Sequence, residues 1–350
     1  MSPSSQMWLG LLAGLSQLRQ VSSTPFIIPF LEERQAFTVP AFVSTYAPLV
    51  WLYSGEKYFP SDIRAQLDHT KPEVNFEVIP GYPTPLTLDN LDSLNADNGT
   101  QVYLTSVDDI TTNPTWLNGV KPDSTGKTDG AVSVAIIVND RGNGEVDAFY
   151  MYFYAFNWGG TFLGEDVDDH VGDWEHNMIR FVNGVPSQVW YSQHSFGEAF
   201  TYDCLEKQGV RPFTYSANGS HANYAITGEH DHTIPNFNLP GTGILTDYTD
   251  QGTLWDPLLN AYFYSFNADA NTYKAYDSSY PTAWLKFVGK WGDEQYPNSD
   301  KRQHEVIPGI SATAHYAGGP TGPEDKQLNR TEVCPTASGY VCDVRTSLTS

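Results

Sequence analysis

Basic residues are scarce in this chain: 19 Lys and Arg stand against 41 Asp and Glu in 350 residues, a formal net charge of −22. Affinity for nucleic-acid phosphates comes mainly from clustered Lys and Arg, so the composition argues against a nucleic-acid partner. Docking on an anionic cytoplasmic leaflet is disfavoured for the same reason. Charge of either sign is sparse, at 17% of the chain, where soluble domains average roughly 25%. Ser, Thr, Asn, Gly and Tyr are left to make the surface. Acidity does not imply disorder, because 40% hydrophobic and 14% aromatic residues supply the side chains of a core.

Long apolar runs are also missing. The stretch from Met7 to Leu18 is shorter than the ~20 residues of a comfortable membrane span. Small residues follow at Val21-Ser22-Ser23, and residues 1–23 read as a secretory signal peptide cleaved near Ser23. No Lys or Arg precedes the apolar run, so an uncleaved anchor is one alternative and a frayed helix another. After cleavage no integral span would remain, and residues 24–350 read as a single β-rich domain. Three sequons, at Asn98, Asn218 and Asn329, agree with secretory entry. The expected location is the secretory pathway, extracellular or vacuolar.

Cysteine is limited to Cys204, Cys334 and Cys342, and no Cys-x-x-Cys pair exists, which removes a zinc ribbon and a thioredoxin-like redox site. The short spacing of Cys334 and Cys342 suits a local disulfide. Cys204 is then the odd thiol, or it takes one of the tail pair, and all three pairings stay open. Catalytic signatures are absent as well: no Gly-x-Ser-x-Gly elbow, no His-Glu-x-x-His, no P-loop and no dinucleotide fingerprint. The chain therefore leans away from an enzyme, although paired carboxylates can work without a linear motif.

Long helical periodicity is nearly absent too. Short aromatic and β-branched runs punctuated by Gly, Pro, Asn and Asp predict many strands with tight turns. Residues 131–138 and 146–156, joined by Asp140-Arg-Gly-Asn-Gly144, predict a hairpin. Further strands are expected at 177–182, 187–193, 211–215, 260–266 and 284–288, with residues 60–130 wrapping the core as loops. The fold class is mainly β: a β-sandwich with long loops and few short helices. The run 152–157 is echoed at 262–267, but nothing flanks either copy at a fixed period, so the echo is not taken as duplication.

The chemistry is concentrated between Glu165 and Glu175, where four Asp and two Glu fall in eleven residues. A strand through this region places Asp173 and Glu175 on one face and Trp174 and His176 on the other. His170 lies before Gly172 and can fold back toward the carboxylates, and Asp168 adds charge on the same loop. Carboxylates this close repel one another unless a cation neutralises them. Oxygen-rich ligands with one imidazole suit Ca²⁺ or Mg²⁺ ahead of Mn²⁺, and fit structural Zn²⁺ less well. A solvated acidic loop is the plainer alternative. His194, His221, His230 and His232 follow. Each is plausible as a structural hydrogen-bond partner, and His194 or His221 would be the acid or base of a metal-dependent, hydrolase-like enzyme.

Motifs spread along the chain resemble those of the vacuolar protein sorting-associated protein 62 family. They are Tyr46-Ala-Pro-Leu-Val50, Glu56-Lys-Tyr-Phe-Pro-Ser-Asp-Ile63, His170-Val-Gly-Asp-Trp-Glu-His176, Gly219-Ser-His-Ala-Asn-Tyr224, Leu245-Thr-Asp-Tyr248, Phe287-Val-Gly-Lys-Trp-Gly-Asp293 and Gly319-Pro-Thr-Gly-Pro323. The resemblance runs from about residue 40 to about residue 345 and implies a role in vacuolar protein transport. The 170–176 segment is also similar to the core of necrosis- and ethylene-inducing-like proteins, secreted β-sandwich cytolysins. That likeness implies a divalent cation held by His170, Asp173 and Glu175, with Asp166 or Asp168 as a further acid and His194 as a further histidine. This sequence departs from the cytolysin core in lacking its leading Gly and second histidine. The expected function is a non-enzymatic secretory-pathway protein whose cation site binds a glycan or a lipid headgroup. A membrane-active cytolysin is the other alternative.

Overall fold

The computed structural model describes residues 37–96, 98–231, 246–336 and 341–348, so the proposed signal segment and His232 lie outside the described residues. Its centre is an eight-stranded sheet in the order Thr272–Ala275, Ala261–Asn267, Val134–Gly142, Glu145–Asn157, His170–Val182, Val185–Gln193, Phe196–Thr201 and Val344–Arg345. Neighbours are antiparallel except Ala261–Asn267 beside Val134–Gly142 and Val344–Arg345 beside Phe196–Thr201, which are parallel. The two echoing aromatic runs are therefore the two flanking strands of Val134–Gly142, one antiparallel and one parallel to it.

The aromatic density of Glu145–Asn157 follows from burial on both faces, which removes the alternation of a half-exposed strand. On one face Tyr150, Tyr152, Ile179, Phe181 and Val189 pack with Val50, Leu52 and Trp255. Those last three belong to a smaller sheet built on Leu49–Leu52, Arg211–Ser216 and Thr253–Trp255, which completes the sandwich. On the other face Phe149, Met151, Phe153, Trp174 and Met178 are covered by short helices, a short strand and loops carrying Leu67, Leu91, Leu104, Trp284 and Trp291. Residues 60–130 do wrap the core as expected, and they also form a three-stranded sheet of Thr70–Val74, Glu77–Val78 and Tyr103–Ser106.

One expected strand is not there. Residues Ala283–Lys286 form a single 3₁₀ turn with Trp284 and Leu285 fully buried. Trp284 donates its indole N–H to the Pro281 carbonyl at 3.1 Å, and this local bond, with the need to plug the covered face, overrides the β propensity of the segment. Cysteine pairing is settled as Cys334–Cys342, with Cys204 free.

Glycine decides the path of the site strand. Gly172 sits in the His170–Val182 strand with φ +69°, and an added Cβ would strike the Trp291 carbonyl oxygen. Gly209, at φ +63°, has open space around the same position. Gly172→Ala is expected to cost roughly 2–4 kcal/mol, strain and clash together, and Gly209→Ala about 1 kcal/mol from strain alone. Urea unfolding of the two variants checks the difference.

Candidate functional site

The side-chain period along His170–Val182 sorts its residues as the sequence suggests. Trp174 and Met178 point into the loop-covered face, and Ile179 and Phe181 point between the sheets. Asp173, Glu175 and Asn177 share the second direction, so polarity runs along one strand from an acidic end to an apolar core. Asn177 marks the change, with its Oδ1 accepting from Tyr152 at 2.9 Å and Thr214 at 2.7 Å. The acidic end opens into a cavity of about 410 Å³. Asp168, His170, Asp173, Glu175 and His194 all line it.

Each buried acid has been given a partner. Asp173, 5% exposed, contacts Nδ1 of the fully buried His221 at 2.9 Å. The opposite nitrogen of that ring, Nε2, donates to the Tyr58 carbonyl at 2.8 Å, and Tyr154 stacks on the ring at 3.7 Å. Burial opposes the charged imidazole, but the hydrogen bond to Asp173 and the charges of Glu56 and Asp173 outweigh it, so the His221 pKa is raised. Glu56 is itself held by the backbone N–H groups of Lys57, Tyr58 and Gly219, each within 2.9 Å.

Glu175 accepts from the Ser192 hydroxyl and from the His194 backbone N–H at 3.0 Å. Burial, and then the neighbouring Asp173 charge, push its pKa up to about 7. His194 opens the two-residue turn between Val185–Gln193 and Phe196–Thr201 and has φ +55°. Its Nε2 meets Asp247 at 2.9 Å. Burial disfavours its charged form, yet the charge and hydrogen bond of Asp247, aided by Glu175, lift its pKa to about 9. Asp247 also accepts from Ser220 at 2.5 Å and Tyr224 at 2.7 Å. Asp168, His194 and His221 all adopt left-handed backbone conformations, which a non-glycine residue holds only when its surroundings fix it.

The structure places the expected Asp168, His170, Asp173, Glu175 and His194 around one cavity, and several partners of these residues were missed in the sequence. Asp247, Glu56 and Ser192 were not singled out, although Glu56 and Asp247 lie in motifs quoted for the family resemblance. His230 bonds Thr249 at 2.9 Å and stacks on Tyr224, a structural role. Among the described residues, the acid and imidazole atoms that all fall within 4.8 Å of one another are those of Asp166, Asp169 and His315. His176 faces away from the acids, its Nε2 3.2 Å from Nη2 of Arg330.

A β-sandwich with an acid-and-histidine cavity at the end of its main sheet is the class that fold and site define. The family model for vacuolar protein sorting-associated protein 62 matches residues 158–317. The chain is 39% identical to TDA6 of Saccharomyces cerevisiae over 329 residues, covering 85% of this chain and 68% of that protein. It is 37% identical to vacuolar protein sorting-associated protein 62 of the same yeast, covering 86% and 68%. The chain belongs to the vacuolar protein sorting-associated protein 62 family. Among solved structures it is similar to Necrosis and Ethylene inducing Protein 2 from the causal agent of cocoa's witches' broom disease. That match has a TM-score of 0.27 and 13% identity, and covers 54% of this chain and 69% of the other.

The raised pKa values of His194 and Glu175 give the cation-free chain a signed pH response. A folded-state pKa of about 9 at His194 against 6.5 means that the folded chain binds more protons in this window. Its contribution is complete below pH 6.5 and is lost as pH rises to 9. Glu175 acts in the same direction between 4.5 and about 7. Urea unfolding in EDTA is expected to show stability falling from pH 6.5 to 9, and His194→Gln to flatten that fall.

Proposed function

We propose that this protein acts in vacuolar protein sorting as a non-enzymatic binding protein, and that a divalent cation in the cavity helps it hold a glycan or a lipid headgroup. Family membership supports the sorting role. The observation that supports the site reading is that Asp168, His170, Asp173 and Glu175 all line one cavity, where an ion would have to draw their donor atoms closer together than they stand without it. Their donor atoms suit a hard cation. Asp173 keeps Oδ1 outside any hydrogen bond while Oδ2 engages His221, and Asp168 has its carboxylate in none among the described residues. His170 places Nδ1 2.7 Å from the Gly172 carbonyl. A carbonyl only accepts, so Nδ1 carries the proton and Nε2 keeps its lone pair, the tautomer of a metal-binding histidine.

A cation there would neutralise acids whose burial, and then mutual repulsion, already raises Glu175, and would offer open positions to sugar or headgroup oxygens. Ca²⁺ or Mg²⁺ fits this oxygen-rich set ahead of Mn²⁺. The histidines favour binding over proton transfer. His221 spends both ring nitrogens on fixed partners, and His194 spends Nε2 on Asp247. The proposed secretory-pathway location, vacuolar or extracellular, accords with a Cys334–Cys342 disulfide. Among the described residues no helix is long and apolar enough to cross a membrane.

Equilibrium dialysis with Ca²⁺, Mg²⁺ and Mn²⁺ tests the reading. Saturable uptake by the wild type is expected, weakened about ten-fold or more in Asp173→Asn and Glu175→Gln, the range seen when metal sites lose supporting groups. Uptake that is absent, or indifferent to both substitutions, overturns the cation site.

A further inference from the structure

The cavity lined by the acids also carries charge of the other sign. Lys326 and Arg330 line the same cavity as Asp173 and Glu175. Arg330 is 3% exposed. Its guanidinium lies 4.8 Å from the Phe149 ring centroid and 5.8 Å from that of Trp190. Nη2 meets His176, but Nε and Nη1 have no hydrogen-bond partner. No carboxylate among the described residues forms an ion pair with it. The nearby Asp147 is committed to Arg180 through two bonds of 2.8 Å.

His176 adds a second orphan. If Nε2 accepts from Arg330, Nδ1 carries the proton, and that N–H is buried without a partner. Stacking on two aromatic rings compensates a desolvated cation only in part, and a buried charge left without an ion-pair partner is strongly unfavourable. Burial accordingly holds the Arg330 pKa down at about 9. A guanidinium in this position is under-compensated on its own and lines a cavity large enough to admit the missing charge.

We propose that the Lys326 and Arg330 corner is an oxyanion subsite that takes the phosphate group of a phosphorylated ligand. A tetrahedral phosphate offers several acceptor oxygens to the two cations, and charge at this corner offsets the repulsion that a chain of net charge −22 exerts on an anion. Joined to the acid wall, the corner selects a phosphorylated polyol, with hydroxyls toward Asp173 and Glu175 and phosphate toward Arg330. That orientation rests on the cation reading above, and the phosphate subsite does not.

Calorimetric titration of the full chain with glycerol 3-phosphate, glycerol, and vesicles of phosphatidylcholine with or without phosphatidic acid tests this, each in EDTA and in Ca²⁺. Glycerol 3-phosphate or phosphatidic acid vesicles should bind, and glycerol and pure phosphatidylcholine should not. Lys326→Gln, at a partly exposed position, and Arg330→Met, which keeps an apolar side chain beside Phe149 and Trp190, should each weaken binding about ten-fold, as loss of one charge-assisted bond implies. Thermal unfolding identifies any variant that fails to fold, and Lys326→Gln carries the test if Arg330→Met is lost. Binding of the soluble ester alone identifies a free phosphate compound as the source, and binding of vesicles alone identifies a lipid surface. The subsite is overturned if neither phosphate probe binds or if both substitutions leave binding intact. It is also overturned if EDTA abolishes binding that the substitutions do not affect, because a cation and not this corner then holds the phosphate. Inorganic phosphate separates the readings: with no polyol hydroxyls it should bind in EDTA and lose affinity in Lys326→Gln, whereas Ca²⁺ uptake by equilibrium dialysis reports the cation site by itself.

Discussion

Two carboxylates on alternate residues of one strand must share a face, and in this protein that face is buried between two sheets. Asp173 and Glu175 cannot point apart without breaking the β period, and they cannot both lose water uncompensated. Much of the surrounding architecture answers that constraint. His221 is turned back through a left-handed residue to meet Asp173, Ser192 is placed on the adjacent strand to meet Glu175, and the His194 turn presents both a backbone N–H to Glu175 and an imidazole to Asp247. Asp247 in turn is secured by Ser220 and Tyr224, so the turn that carries His221 and the turn that carries His194 are tied through one buried acid.

The partners of this network come from separated parts of the chain. Glu56, Asp173, His194, His221 and Asp247 meet only because the small sheet, with Leu49–Leu52 parallel to Arg211–Ser216, stacks on the acidic end of the large one. Local geometry does the final positioning. Gly172 lets the strand pass beside Trp291, while the positive φ values of Asp168, His194 and His221 aim side chains that an extended backbone would send elsewhere. The site is thus fixed by packing that lies mostly outside the cavity.

What could be read from the sequence follows the range of each interaction. The hairpin of Val134–Gly142 and Glu145–Asn157, the common face of Asp173 and Glu175 and the opposite face of His176 depend on a two-residue period and a Gly-Asn-Gly turn, and these are visible in any short window. The Asp173–His221 contact spans 48 residues and the His194–Asp247 contact 53, and no periodicity reports such distances. Asp247 and Glu56 were present as parts of recurrent motifs but without a chemical role, because nothing local marks an acid as buried. Trp284 misled for a related reason: an aromatic and aliphatic run looks like a strand until the neighbouring core demands a plug.

Arg330 illustrates the converse case, a residue whose neighbourhood looks ordinary in sequence and unusual in space. It occupies the middle of the Asn329-Arg330-Thr331 sequon, where a basic residue in an exposed loop would be unremarked. Its backbone carbonyl accepts from Arg141 at 2.8 Å, which draws the loop onto the sheet and buries the side chain against Phe149 and Trp190. The chain is strongly acidic, yet it buries one of its 19 basic residues where no acid among the described residues forms an ion pair with it. A surface salt bridge would have cost little and contributed little; a solitary buried guanidinium is expensive, and fold stability alone gives no reason to keep it. The expense has a reason if the cavity needs both signs of charge, acids for a cation and hydroxyls, and a guanidinium for an oxyanion that the rest of the surface repels.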